Sequence, residues 1–100
     1  MKRAAKIDAN QTEIVQALRA IGCTVQSLAV VGNGVPDLLV GTNNRTLLLE
    51  VKDGKKIPSE RALTPDQLKW HANWRGGTLA VVCDVESAIR AARLLNNPAE

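Results

Sequence analysis

Three consecutive leucines, Leu47-Leu48-Leu49, sit inside the apolar stretch Thr46–Lys52. Side chains alternate faces along a strand, so a run without alternation needs cover on both sides. A strand of this kind belongs in the interior of a sheet with helices on each face. The chain is 100 residues long, enough for one domain and one core. It has two Trp and neither Phe nor Tyr, so that core is built from Leu, Val, Ile and Ala.

The rest of the chain punctuates clearly. The first seven residues carry Lys2, Arg3 and Lys6 and read as a flexible basic arm. Asp8-Ala-Asn-Gln11 and Asn10-Gln-Thr-Glu13 both fit a capping box, and Ile14, Leu18 and Ile21 then share a helical face up to Gly22. Val25–Val31 is rich in β-branched residues and reads as a strand. Gly32-Asn33-Gly34 signals a hairpin, Asp37–Val40 a second strand, and Gly41–Asn44 a further turn before the leucine strand.

Asp53–Leu63 reads as a long charged loop, of the sort that is often functional or mobile. Thr64-Pro65-Asp66-Gln67 starts a helix with Thr as N-cap and Gln at N3. That helix runs to Arg75 and stops at Gly76-Gly77. Thr78–Cys83 is a fourth strand, and Asp84 caps a last helix through Leu95, closed by Asn96-Asn97-Pro98. The order α-β-β-β-α-β-α implies an α/β domain: a mixed four-stranded sheet flanked by helices, with the last strand parallel to the third.

Cys23 and Cys83 fit no zinc spacing, and free core thiols are expected. No secretory or membrane-spanning segment is apparent, so an intracellular setting is the expectation, in a bacterial cytoplasm or a phage-infected cell. The net charge is +3. Between Arg45 and Arg75 seven basic residues face four acidic ones, which suits a phosphate backbone but equally a solvated surface.

Glu50 and Lys52 point to one side of the leucine strand and Val51 to the other. A carboxylate and an ammonium on so apolar a strand need compensation, because either one buried alone costs several kcal/mol, roughly. Asp37 follows Pro36 at the start of the second strand. Pairing of the two strands would bring it beside Glu50. Two carboxylates held together invite a shared proton or a divalent cation, and oxygen ligands favour Mg²⁺ or Mn²⁺. An E-x-K triplet alone is also an ordinary surface ion pair, and it is the preceding Pro-Asp that changes the balance.

Gly34-Val35-Pro36-Asp37 followed by Glu50-Val51-Lys52 resembles the PD-(D/E)XK nuclease signature. Leu63-Thr64-Pro65-Asp66-Gln67, Trp70-His71 and Trp74-Arg75-Gly76-Gly77 further resemble its VRR-NUC branch, the virus-type replication-repair nucleases. The likeness spans Glu13 to Asp84. It implies a restriction-endonuclease-like α-β-β-β-α-β core forming one domain over residues 1–100. It further implies a Mg²⁺- or Mn²⁺-dependent endonuclease that hydrolyses DNA, with no other cofactor. Asp37 and Glu50 would be metal ligands together with the Val51 backbone carbonyl, and Lys52 the catalytic lysine. Glu13 would reach the metal or its waters, and Gln67 would be the polar residue on the helix after the lysine strand. Small members resemble homodimeric junction-resolving enzymes, which implies branched DNA such as a four-way junction.

Simpler roles stand beside these. Glu13 and Gln67 each fit N3 of a capping box, and capping and site contact require different geometries of the same side chain. Lys55, Lys56, Arg61 and Lys69 are candidate phosphate contacts or plain solvated cations. His71 reads as a partly buried packing residue before a DNA contact or proton shuttle, and Trp70 and Trp74 as core or dimer-interface residues before base-stacking platforms. A non-catalytic nucleic-acid-binding module with the same fold is the competing reading, and an oligomeric scaffold a third.

Overall fold

A computed structural model describes residues 9–94. The basic arm, Asp8 with its capping box, and the Asn96-Asn97-Pro98 stop lie outside the described residues. The elements are α1 (Gln11–Ala20), β1 (Thr24–Ser27), β2 (Leu38–Thr42), β3 (Arg45–Val51), a single 3₁₀ turn (Pro58–Glu60), α2 (Pro65–Asn73), β4 (Thr78–Val82) and α3 (Val85–Leu94). The strands form one sheet in the order β1-β2-β3-β4. β1–β2 and β2–β3 pair antiparallel and β3–β4 parallel, as the crossover through α2 requires. This is the expected α/β architecture.

β3 is central and buried on both faces, as its leucines demand. Leu47, Leu49 and Val51 pack into a core with Ile14 and Leu18 of α1, Val40 of β2, and Ala88 and Ala92 of α3. Each buried Leu, Ile or Val contributes about 1.5–3 kcal/mol of transfer free energy. The small Ala88 and Ala92 let α3 lie close. Leu48 and Glu50 face the other way, towards α2, and are 6% and 1% exposed.

Several boundaries differ from the sequence reading. β1 ends at Ser27 rather than Val31. Leu28 still donates to the Asp37 carbonyl at 2.7 Å. Beyond it β2 offers no partner, and Val30 is 83% exposed in a turn. The Gly32-Asn33-Gly34 segment is therefore not a two-strand hairpin turn but the crest of a connection over 28–37. All three of its residues nevertheless take positive φ (73°, 59° and 84°). At Gly34 the reason is contact as well as conformation: a Cβ there would lie 2.3 Å from the Asp66 carbonyl oxygen at the start of α2.

The turn between β2 and β3 is shorter than expected. Gly41 and Thr42 stay in the ladder, and only Asn43 and Asn44 turn, both at positive φ (50° and 63°). α2 stops at Asn73 rather than Arg75. Trp74 is extended (φ −69°, ψ 131°), and its indole Nε1 donates to the Gly77 carbonyl at 2.8 Å. Gly76 makes room for that ring, since a Cβ would sit 2.2 Å from Trp74 Cζ2. β4 ends at Val82, one residue early. Cys23 and Cys83 are free thiols; Cys83 is half-buried rather than a core residue. Among the described residues no helix is long and apolar enough to cross a membrane.

Candidate active site

The β2–β3 register pairs Leu38 with Leu49, which sets Asp37 next to Glu50 one step further along. Asp37 Oδ2 accepts the Val51 backbone N–H at 2.8 Å, so the end of β3 orients the Asp37 carboxylate. Glu50 lies on the α2 face of β3, enclosed. A carboxylate in that setting needs donors, and α2 supplies them. Gln67 Nε2 donates to Glu50 Oε2 at 3.1 Å. Gln67 Oε1 accepts from Lys52 Nζ at 2.8 Å. One amide thus joins the acid and the amine that a strand period had put on the same side.

Gln67 also closes the capping box of α2. Its Oε1 accepts the Thr64 N–H at 2.9 Å while Thr64 Oγ1 accepts the Gln67 N–H at 3.2 Å. Capping and site contact were expected to exclude each other. They coexist, because a carbonyl oxygen has two lone pairs and the NH₂ remains free for Glu50.

One turn on, His71 Nε2 lies 3.7 Å from Glu50 Oε1. Burial, and then the Lys52 ammonium, hold the His71 pKa below its ordinary value of 6.5, so the ring is neutral at pH 7. His71 read as a packing residue from sequence. Its i+4 spacing from Gln67 was the available signal that both side chains reach one place.

The far side of the strand end is held by a residue that the sequence marked only as a helix cap. Asn10 Nδ2 donates to the Lys52 carbonyl at 3.2 Å and to the Cys83 carbonyl at 2.9 Å. It makes no side-chain cap to α1. Glu13 is exposed and lines a separate hollow of about 400 Å³ with Asn10, Asp53, Gly54, Lys55, Cys83 and Asp84. Lys55, Lys56 and Arg61 are exposed on the segment after β3, where Arg61 Nε donates to the Lys56 carbonyl at 2.8 Å. Lys69 is exposed on another face of α2, in a groove with Trp70.

The donor set bears on a metal. Among the described residues no group of three His, Cys, Asp or Glu side chains is arranged to hold an ion. Two adjacent carboxylates and a main-chain carbonyl are a different case. They are too few for an all-protein cage and do not suit zinc, but they fit Mg²⁺, which keeps waters and substrate phosphate oxygens in its shell.

No family model matches the sequence, and no curated protein does. Among solved structures, one described as a VRR_NUC domain superimposes with a TM-score of 0.59 at 25% identity, over 91% of this chain and 99% of that one. The chain is therefore a nuclease-type α/β domain. Within that class it is similar to the VRR_NUC domain, the branch that its Pro36-Asp37, Glu50-Val51-Lys52 and Thr64–Gln67 segments resemble.

Proposed function

We propose that the domain is a Mg²⁺- or Mn²⁺-dependent endonuclease that hydrolyses phosphodiester bonds in DNA. The observation that supports this most is the Gln67 amide, hydrogen-bonded at once to Glu50 and Lys52 on the strand flanked by Asp37. An incidental surface ion pair would not recruit a third residue from another element to hold both partners in an enclosed place.

Asp37, Glu50 and the Val51 carbonyl would hold the ion. When bound, such an ion polarises a phosphoryl oxygen and lowers the pKa of a coordinated water. Lys52, fixed by Gln67, neutralises the negative charge that grows on the phosphate oxygens. Gln67 fixes Glu50 Oε2. His71, neutral, adds no cation that would compete for the carboxylates. Lys55, Lys56, Arg61 and Lys69 meet substrate phosphates, which positions the strand without reading its sequence. Glu13 joins the site through water or substrate. The reading extends to branched DNA cut by a homodimer, since one site opens one strand and paired incisions across a junction need two copies.

The test is nicking of a labelled four-way junction with Mg²⁺, Mn²⁺ or chelator. Cleavage is expected only with metal, lost in Glu50→Ala and Lys52→Ala and retained in a folded surface control. Wild-type activity in either variant would refute the assignment. Tight binding without cutting would favour the non-catalytic DNA-binding module. Light scattering distinguishes dimer from monomer, and Glu13→Ala decides whether the exposed α1 carboxylate takes part.

A further inference from the structure

α2 has two differently built faces. Gln67 and His71 turn towards Glu50. Asp66, Lys69, Trp70 and Asn73 recur at i, i+3, i+4 and i+7, about 100° round the helix from Gln67. With Trp74 and Asn33 they line an open groove of about 350 Å³. The indoles of Trp70 and Trp74 stack there, with centroids 5.0 Å apart and planes within 16°. Asn33 arrives from the β1–β2 connection, which closes on α2 only because Gly34 has no side chain to meet the Asp66 carbonyl.

These are the two tryptophans of a chain that has no other aromatic residue except His71. Neither belongs to the core, which is aliphatic throughout, and Trp74 is 37% exposed. A pair of indoles placed at the surface and rimmed by two amides, a carboxylate and an ammonium is a poor seat for an apolar protein surface. Protein interfaces centre on residues depleted in charge. It matches a nucleobase: a flat π-face to stack, edge groups that donate and accept, and a phosphate close by.

We propose that this groove binds one unpaired base of the DNA strand held at the neighbouring site, an inference that rests on the nuclease reading above. The base stacks on the outer face of the indole pair, whose members already touch and leave no gap between them. The amides of Asn33 and Asn73 each offer a donor and an acceptor to its edge, and the Asp66 carboxylate accepts from an exocyclic amine. Lys69 meets the adjoining phosphate. The groove lies about a helix breadth, roughly 10 Å, from Glu50, a span that a few nucleotides of single strand cross. The domain would thereby favour DNA that presents an unpaired nucleotide near the scissile bond.

Because Trp70 and Trp74 are the chain's own fluorophores, the groove reports its own occupancy. The full-length protein is titrated in chelator with a duplex carrying one bulged base, with the same duplex carrying an abasic residue at the bulge, and with the fully paired duplex. The expected result is quenching by the bulged base alone, with binding about tenfold tighter than to the abasic duplex. Trp70→Leu and Asn73→Ala should erase that preference while metal-dependent nicking of the fully paired four-way junction stays unchanged. Asn73 is exposed at the end of α2, so its variant keeps the test decisive if Trp70→Leu fails to fold. Equal quenching by bulged and abasic duplexes overturns the proposal, as does a protein-concentration-dependent change without DNA, which would mark a second copy in the groove. Nicking without any base-dependent signal sinks this inference alone; absence of both binding and nicking sinks the nuclease reading with it.

Discussion

Two helices in this domain begin with the same kind of four-residue pattern and end up differently. Thr64-Pro65-Asp66-Gln67 forms a closed capping box, with Thr64 in the extended region (φ −70°, ψ 164°). Asn10-Gln11-Thr12-Glu13 does not. Asn10 sits near the helical region (φ −88°, ψ 0°), makes no side-chain cap, and leaves Glu13 in solvent. The difference lies in what each N-cap side chain can donate. The Asn10 amide reaches the ends of β3 and β4, where it donates to the Lys52 carbonyl and shares the Cys83 carbonyl with the Gly54 N–H. An unmade hydrogen bond at a buried carbonyl costs about 1–3 kcal/mol, more than most caps contribute. Local signals decide a helix start only where no distant, more costly group competes for the same side chain.

The largest effect is expected at Gln67, where the two roles meet. Gln67→Glu keeps an N3 residue that can close the box but replaces the donor facing Glu50 with a second carboxylate. Nicking should fall about 100-fold, the scale seen when a positioned donor is removed, and the thermal midpoint should fall as well, because an enclosed carboxylate loses its donor and meets a like charge. Nicking within threefold of wild type would mean that Gln67 is a cap and nothing more.

Asn10→Ser sharpens the other half of the contrast. Serine is as good an N-cap as asparagine but cannot reach two carbonyls, so stability should drop by about 2 kcal/mol in urea denaturation. A variant as stable as wild type would show that Asn10 serves α1 after all.

Thr64→Ala removes only the forward half of the α2 box. About 1 kcal/mol of stability should be lost, with a less than tenfold slowing of nicking as Gln67 loosens. A slowing as large as that of Gln67→Glu would make the cap, rather than the contact to Glu50, the source of the effect.

The smallest effect concerns α3, whose N-cap Asp84 is fully solvated. Its carboxyl is held below the ordinary value of 3.8 first by the Ser87 backbone N–H, then by the Ser87 side chain, with a contribution from Arg90. A depressed carboxyl stabilises the fold above its ordinary value, and that contribution fades as pH falls through the lowered one. Asp84→Asn keeps a cap without a charge. Its acid denaturation curve should be slightly flatter below pH 3.8 and unchanged near neutrality. An altered slope near pH 7 would assign the effect to another group.

Legibility from sequence followed the same divide. The order of elements, the burial of Leu47–Leu49 on both faces, the parallel placement of β4 and the Thr64 box were all readable. Each depends on residues within a turn or a strand period of one another, or on a connection rule. The convergence of Asp37 on Glu50 was readable as far as the pairing of β2 with β3. What was not readable depends on contacts between distant segments. Val30 and Val31 look like strand residues until β2 proves to start too late to pair with them. Gly34 looks like a turn glycine, although its chief constraint is the Asp66 carbonyl. Gln67 looked obliged to choose between two roles, and only the approach of β3 to α2 shows that its amide has enough atoms for both.

The parallel pairing of β3 with β4 has a consequence for how the molecule comes into being. β1 to β3 is a meander that can zip from its Asn43-Asn44 turn, whereas Glu50 meets Val81 only after the long stretch between them has looped back. Gln67 and His71 ride on that stretch, so the groups around Glu50 assemble only when this long-range crossover closes. During refolding, recovery of nicking should trail the return of β-structure seen by circular dichroism, and simultaneous recovery would argue that the crossover closes first.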